Sequence, residues 1–163
     1  MTLDFAGGQL HVARSAETAG AGRVVDMRLM SDAKLIVPVK LEGRPALALL
    51  DTGADVVALA PSALKQLFPE REFPTFEPGV AIGIGSGENM QISTSNGATL
   101  LFGGREFKNY GGLGLDALDK TLAPALGTRI DILLGMPTFR EMKSCTVDFA
   151  KCKMWIDWAE TSD

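Results

Sequence analysis

The sequence predicts an all-β fold of short strands and tight hairpins. Eighteen glycines and eight prolines punctuate short apolar runs, a pattern that suits strands and turns better than a helical bundle. Two glycine-bearing turn signals, Glu42-Gly43 and Gly103-Gly104, each lie between runs of strand length. With 163 residues, 46% of them apolar, the chain supports one globular core and argues against two complete domains.

Taken in order, Leu35 to Leu41 and Arg44 to Leu50 form a hairpin around Glu42-Gly43, and Val56 to Leu59 is the strand that leaves it. Pro61 to Phe68 reads as a short helix with proline in its first turn, where the missing N–H is harmless. Residues 69 to 79 make a surface loop. Ala81 to Ile92 is a glycine-rich hairpin, and Ala98 to Phe102 pairs with Arg105 to Tyr110 across Gly103-Gly104. Asp116 to Thr128 holds a helical turn, Ile132-Leu133-Leu134 is an apolar run ending at Gly135, and Pro137 to Met142 forms a second short helix. The last hairpin, turning at Ala150-Lys151, ends near Trp158.

The most informative segment is Ala48 to Ala58, in which an apolar strand runs into Asp51-Thr52-Gly53 and leaves as a second apolar strand. A carboxylate buried in apolar surroundings finds a partner or has its pKa raised, and the functional form of that arrangement is a general acid or base. Thr52 supplies a hydroxyl beside it, and Gly53 permits a close approach that a Cβ would forbid. The bland reading of Asp51 is an Asx turn, with the side chain bonded to its own backbone. The glycine-rich hairpin and the run ending at Gly135 favour the functional reading.

Several classes of function are set aside by composition. A net charge of -4 without a basic stripe gives no footprint for nucleic acid. No apolar run approaches a membrane span, and residues 1 to 20 lack the charged start and apolar core of a signal peptide. The chain is therefore expected to be soluble; its compartment is left open, and a periplasmic or other extracytoplasmic site is compatible with a trimmed signal. His11 is the sole histidine, which excludes a histidine-rich metal centre and makes a Ser-His-Asp triad improbable. Cys145 and Cys152 lack neighbouring ligands for zinc and are read as free thiols in preference to a disulfide. No metal or cofactor is expected. The alternating Gly83, Gly85 and Gly87 could suggest a phosphate loop, but such loops open a helix, and Met90-Gln91-Ile92 reads as strand.

The two ends of the chain resemble each other. Thr2-Leu3-Asp4-Phe5-Ala6 and the residues to Val12 parallel Thr146-Val147-Asp148-Phe149-Ala150 and the residues to Ile156, with four identities. Either residues 1 to 33 are a hairpin and linker ending a preceding, similar domain, or hairpins simply share local grammar. Residues 34 to 158 form the main domain.

In their order and spacing, Leu49-Leu50-Asp51-Thr52-Gly53-Ala54-Asp55, Ile82-Gly83-Ile84-Gly85-Ser86 and Ile132-Leu133-Leu134-Gly135 resemble the retropepsin family of aspartic proteases, and the bacterial branch more than the viral one. The resemblance implies a closed acid-protease β-barrel with one or two short helices. It makes Asp51 the catalytic aspartate within a catalytic turn completed by Thr52 and Gly53. Ala54 and Asp55 would then border the substrate, and Gly83, Ile84, Gly85, Ser86 and Gly87 would form a flap over an extended peptide. Leu134-Gly135 would support the aspartate loop from beneath. Viral members follow that glycine with an arginine that pairs with the acid matching Asp55. Here Met136 stands in its place, so the pair is missing or Asp55 finds another cation such as Arg140.

Such chemistry needs two carboxyls, one ionised to take a proton from water and one protonated to polarise the carbonyl. The chain offers one Asp-Thr-Gly, so its partner is expected from a second copy across a two-fold axis or from a tandem domain. Ala54 cannot donate the hydrogen bond that Ser or Thr gives in other members, which implies a mildly acidic to near-neutral optimum. The competing reading is a non-catalytic module of the same fold that dimerises or captures peptide by strand pairing.

Overall fold

The computed structural model describes residues 1–15, 20–30, 32–69, 77–78, 91–94, 98–110 and 113–160. The fold is mostly strands with a few short helices, as the sequence predicts. In chain order the strands are β1 (Thr2–Asp4), β2 (Gln9–His11), β3 (Arg23–Asp26), β4 (Arg28–Leu29), β5 (Leu35–Leu41), β6 (Arg44–Leu50), β7 (Val57–Leu59), β8 (Glu77–Pro78), β9 (Gln91–Thr94), β10 (Ala98–Phe102), β11 (Arg105–Tyr110), β12 (Leu113–Leu115), β13 (Ile132–Leu134), β14 (Met142–Asp148) and β15 (Lys153–Trp158). The helices are α1 (Pro61–Leu67), α2 (Ala123–Leu126), which continues a π-helical stretch Leu118–Leu122, and α3 (Met136–Phe139).

Two sheets result. One has the order β2-β1-β14-β15-β3; the other runs β11-β10-β5-β6-β13-β7-β12-β9-β8, with β4 paired to β5. The hairpins expected around Glu42-Gly43 and Gly103-Gly104 are present, whereas most of the one expected over Ala81 to Ile92 lies outside the described residues. Leu41 pairs with Arg44 across a turn in which Glu42 and Gly43 both have positive φ, at 48° and 74°, and Gly103 and Gly104 repeat this at 55° and 79°. These are type I′ turns, whose twist matches that of the flanking strands.

The placement of β13 organises the site. It lies parallel to β6, pairing Ile132, Leu133 and Leu134 with Ala48, Leu49 and Leu50. It also lies antiparallel to β7, pairing the same residues with Leu59, Ala58 and Val57. The turn from β6 to β7 therefore arches over the end of β13. These strands are covered on both faces, so their sequences are continuous apolar runs rather than alternating ones. Val37, Ala48, Leu59, Ile132 and Leu134 enter one core cluster together with Val147, Met154 and Ile156 of the other sheet. Ile36, Leu49, Ala58 and Leu133 enter a second, closed by Ala63 of α1 and Leu118. Side chains of adjacent residues point to opposite clusters, as the period of two requires.

Strand β8, Glu77–Pro78, pairs with β9 inside the stretch expected as a loop over residues 69 to 79, and two further expected elements are shifted. The helix predicted over Pro137 to Met142 is α3, Met136–Phe139, because Met142 already belongs to β14. The last hairpin keeps the expected register, with Cys145 opposite Ile156, but pairing stops at Asp148 and Lys153, leaving a four-residue turn. Cys145 is buried and Cys152 exposed, both as free thiols, and burial pushes the Cys145 thiol up to about 12. No helix among the described residues is long and apolar enough to cross a membrane.

Candidate functional site

The Asp51 turn is held from below by backbone groups. Asp51 N–H donates to Leu134 O at 3.1 Å, Ala54 N–H donates to Asp51 O at 3.2 Å, and Met136 N–H donates to Ala54 O at 2.7 Å. Gly135 lies so close beneath the turn that a Cβ there would come within 2.1 Å of Val56 O and 2.4 Å of Ala54 O. Only glycine permits that approach without moving backbone. The expectation that Leu134-Gly135 underlies the aspartate loop thus has a concrete form: one backbone hydrogen bond, one contact that excludes a side chain, and the N–H of the following residue.

The carboxylate itself does not sit as the sequence suggested. Asp51 is exposed, together with Thr52, Gly53 and Asp55. The expected burial is corrected by the strand ends: β6 stops at Leu50, β13 at Leu134, and β7 begins at Val57, so the turn projects past the last layer of the core. Asp51 Oδ1 accepts from Gly53 N–H at 2.9 Å, which is the Asx-turn bond of the bland reading. Among the described residues Oδ2 has no partner. Among the described residues, then, the turn fixes the carboxylate through one oxygen only. Gly53 is outside the left-handed region, and a side chain there would press on Asp51 Oδ1 at 3.2 Å.

Thr52 makes no hydrogen bond through its hydroxyl among the described residues. Ala54 is partly buried against the second core cluster and acts through its backbone, accepting from Met136. Asp55 faces solvent, and no cation among the described residues stands within ion-pairing distance of it; the suggested pairing with Arg140 does not occur. Gly83, Ile84, Gly85, Ser86 and Gly87 lie outside the described residues. Asp51, Thr52, Gly53, Ala54 and Asp55 are thus together on one accessible turn.

Sequence reading missed two acids that hold this scaffold. Asp131, immediately before β13, is 2% exposed; its Oδ2 accepts from Leu47 N–H at 2.8 Å, and its Oδ1 pairs with Arg129 Nε at 2.9 Å. Asp148, 3% exposed at the end of β14, accepts from Ser15 Oγ at 2.7 Å and from the N–H groups of Ala150 and Lys151 at 3.1 Å. Burial alone would raise the Asp148 carboxyl, but hydrogen bonds from Ser15 and from the Lys151 N–H and ammonium outweigh it and hold the group below its ordinary value. A third anchor joins the helix after Gly135 to the sheet: Tyr110 OH donates to Thr138 Oγ1 at 3.0 Å. Among the described residues no group of three or more His, Cys, Asp or Glu is arranged to hold a metal ion.

A β-sheet fold with an Asp-Thr-Gly turn arched over an inserted strand and a close-packed glycine defines a class, and comparison gives it a family. The family model for aspartyl proteases matches residues 37–138, more than half of the chain. The chain belongs to the aspartyl protease family. Among solved structures it is similar to a retropepsin-like aspartic protease from Rickettsia conorii, at 18% identity over 83% of this chain and 89% of that one, with a TM-score of 0.49. It is also similar to the retroviral protease-like domain of Ddi1 from Leishmania major, at 11% identity over 86% and 97% of the two chains, with a TM-score of 0.46. Comparison with curated proteins finds no match.

Proposed function

We propose that this chain supplies one half of an aspartic endopeptidase, with Asp51 as one of two catalytic carboxyls. The observation that carries the reading is the Asp51 turn in a member of the aspartyl protease family: an exposed carboxylate clamped through Oδ1 and, among the described residues, without a partner at Oδ2. Exposure suits an acid whose partner acid belongs to another domain. The second carboxyl comes from a second copy or a tandem domain, and the two share one proton because neither ionises easily beside the other.

In this mechanism the ionised member takes a proton from water as its oxygen bonds to the peptide carbonyl carbon. The protonated member gives its proton to the carbonyl oxygen. Collapse of the tetrahedral species breaks the C–N bond, with a proton delivered to the departing nitrogen, and leaves a carboxylic acid and an amine. No cofactor takes part. Gly83, Ile84, Gly85, Ser86 and Gly87 cover the substrate strand, and Ala54 and Asp55 border it. With Ala54 unable to donate to the carboxylate, activity peaks at mildly acidic to near-neutral pH.

Two observations favour a second reading, a non-catalytic peptide-binding or dimerisation module: no cation among the described residues pairs with Asp55, and Met136 stands where viral members carry arginine. Incubation with an unfolded protein separates the two. Cleavage lost in Asp51→Asn and blocked by a statine-type inhibitor supports the protease. Peptide binding that survives Asp51→Asn, with no cleavage by the wild type, supports the module.

A further inference from the structure

We infer that the β1–β2 hairpin is the closing hairpin of a second retropepsin-like domain lying N-terminal on the same polypeptide, so that the second carboxyl arrives in cis. The catalytic consequence rests on the paired-aspartate reading above; the structural part stands on the following geometry.

The resemblance between residues 2–12 and 146–156 extends to three dimensions. Thr2, Leu3 and Asp4 pair with His11, Leu10 and Gln9, and their counterparts Thr146, Val147 and Asp148 pair with Trp155, Met154 and Lys153 in the same register. Both turns have a left-handed residue at the same place, Gly8 at φ 62° and Cys152 at φ 51°. Both are closed by the same acid, since Asp4 Oδ1 accepts from Gly7 N–H at 2.8 Å and Asp148 Oδ1 from Lys151 N–H at 3.1 Å.

The two hairpins also face each other as equivalents. Thr2 pairs with Thr146 across β1 and β14, their hydroxyl oxygens 2.9 Å apart. On one side Leu3 pairs with Cys145; on the other Met1 and Val147 exchange backbone hydrogen bonds of 2.7 and 2.9 Å. Adding the repeat offset to one contact generates the other. A local two-fold axis therefore passes between the two threonines, in the manner of an interface between two like domains.

Burial breaks that symmetry in an informative way. Met154 and Ile156 of β15 are 1% and 0% exposed in the core, whereas their counterparts Leu10 and Val12 are 60% and 79% exposed. Phe5 packs on Phe139 of α3 with ring centroids 6.1 Å apart, whereas its counterpart Phe149 is 39% exposed. An edge strand that offers apolar side chains to water is a liability unless something covers it. The cover cannot be the body of a second identical copy, because that core is already closed by its own Met154 and Ile156. It fits a domain of the same kind for which residues 1–12 supply the last hairpin, whose own α3 equivalent receives Phe149, and which residues 13–22 link to the next domain.

The test uses the full-length natural polypeptide with a photoreactive benzoylphenylalanine in place of Val12. The expected result is an intramolecular cross-link, mapped by mass spectrometry, to a segment N-terminal to Met1. Cross-links to a second copy, cross-links confined to residues 1–163, or a natural polypeptide that starts at Met1 would each overturn the inference. Dilution supplies the second arm: specific peptidase activity stays constant for a site completed in cis and falls for one that needs two chains, and a fall overturns the inference while leaving the protease reading intact. A cross-link to the upstream segment with no cleavage under any condition has the reverse meaning, sustaining the domain assignment and sinking the protease.

Discussion

Asp51 and Asp131 stand near opposite ends of the β6–β13 pairing, and their surroundings could hardly differ more. Asp131 is buried, with both carboxylate oxygens engaged by Arg129 and by the Leu47 N–H 84 residues earlier in the chain. Asp51 is exposed and, among the described residues, engaged through one oxygen only, by the N–H two residues on. A buried carboxylate with both oxygens engaged ties strands together and is shielded from solvent and substrate. A carboxylate clamped on one side and open on the other is rigid enough to be aimed and free enough to react. Within one chain, then, burial marks Asp131 as a structural acid, whereas Asp51, the acid proposed to react, is exposed.

That contrast is broken most severely at Asp51 itself. Asp51→Asn should lower cleavage by about 10²–10⁴-fold, the span typical of a lost general acid or base, while the thermal midpoint stays close to wild type. A large loss of stability would place Asp51 with Asp131 as a structural group. Gly135→Ala comes next. Its methyl would meet two backbone oxygens within 2.4 Å, so the Asp51 turn must move, at a cost of about 1–3 kcal/mol in stability and a larger loss of activity than stability alone explains. Denaturant titration together with kcat per folded molecule measures both parts.

Asp131→Ala sharpens the other side of the comparison. It leaves Leu47 N–H without its acceptor and should cost about 1–3 kcal/mol, with kcat per folded molecule nearly unchanged. The smallest effect is expected at Asp148. Its folded pKa lies below the unfolded value, so its contribution is fully present above the ordinary aspartate pKa and is lost as pH falls through the lowered one. Asp148→Asn should lower the thermal midpoint modestly at neutral pH and flatten its decline in acid, which calorimetry across that range detects.

The parts of this molecule that were legible in the sequence are those whose causes are local. Glu42-Gly43 and Gly103-Gly104 adopt positive φ, so the β5–β6 and β10–β11 hairpins could be read with their bounds. Pro61 marked the start of α1 for a similarly local reason, its missing N–H at a helix start. Asp131 and Asp148 were illegible because their partners are distant: Leu47 for one, Ser15 for the other, neither flagged by spacing or motif. The exposure of Asp51 was misread because an apolar flank predicts burial only if the strand continues, and here three strands end just short of the turn. The terminal repeat was visible as letters, but its meaning needed the structure, which shows the two hairpins in the same register and Leu10 and Val12 exposed where Met154 and Ile156 are buried.

The central claim, that Asp51 is one of two carboxyls sharing a proton, is tested most directly by the pH dependence of kcat/KM for peptide cleavage by the full-length polypeptide. The account predicts a bell with two ionisations, peaking at mildly acidic to near-neutral pH, and its disappearance with activity in Asp51→Asn. A profile governed by one ionisation, or cleavage that persists undiminished in Asp51→Asn, would contradict it.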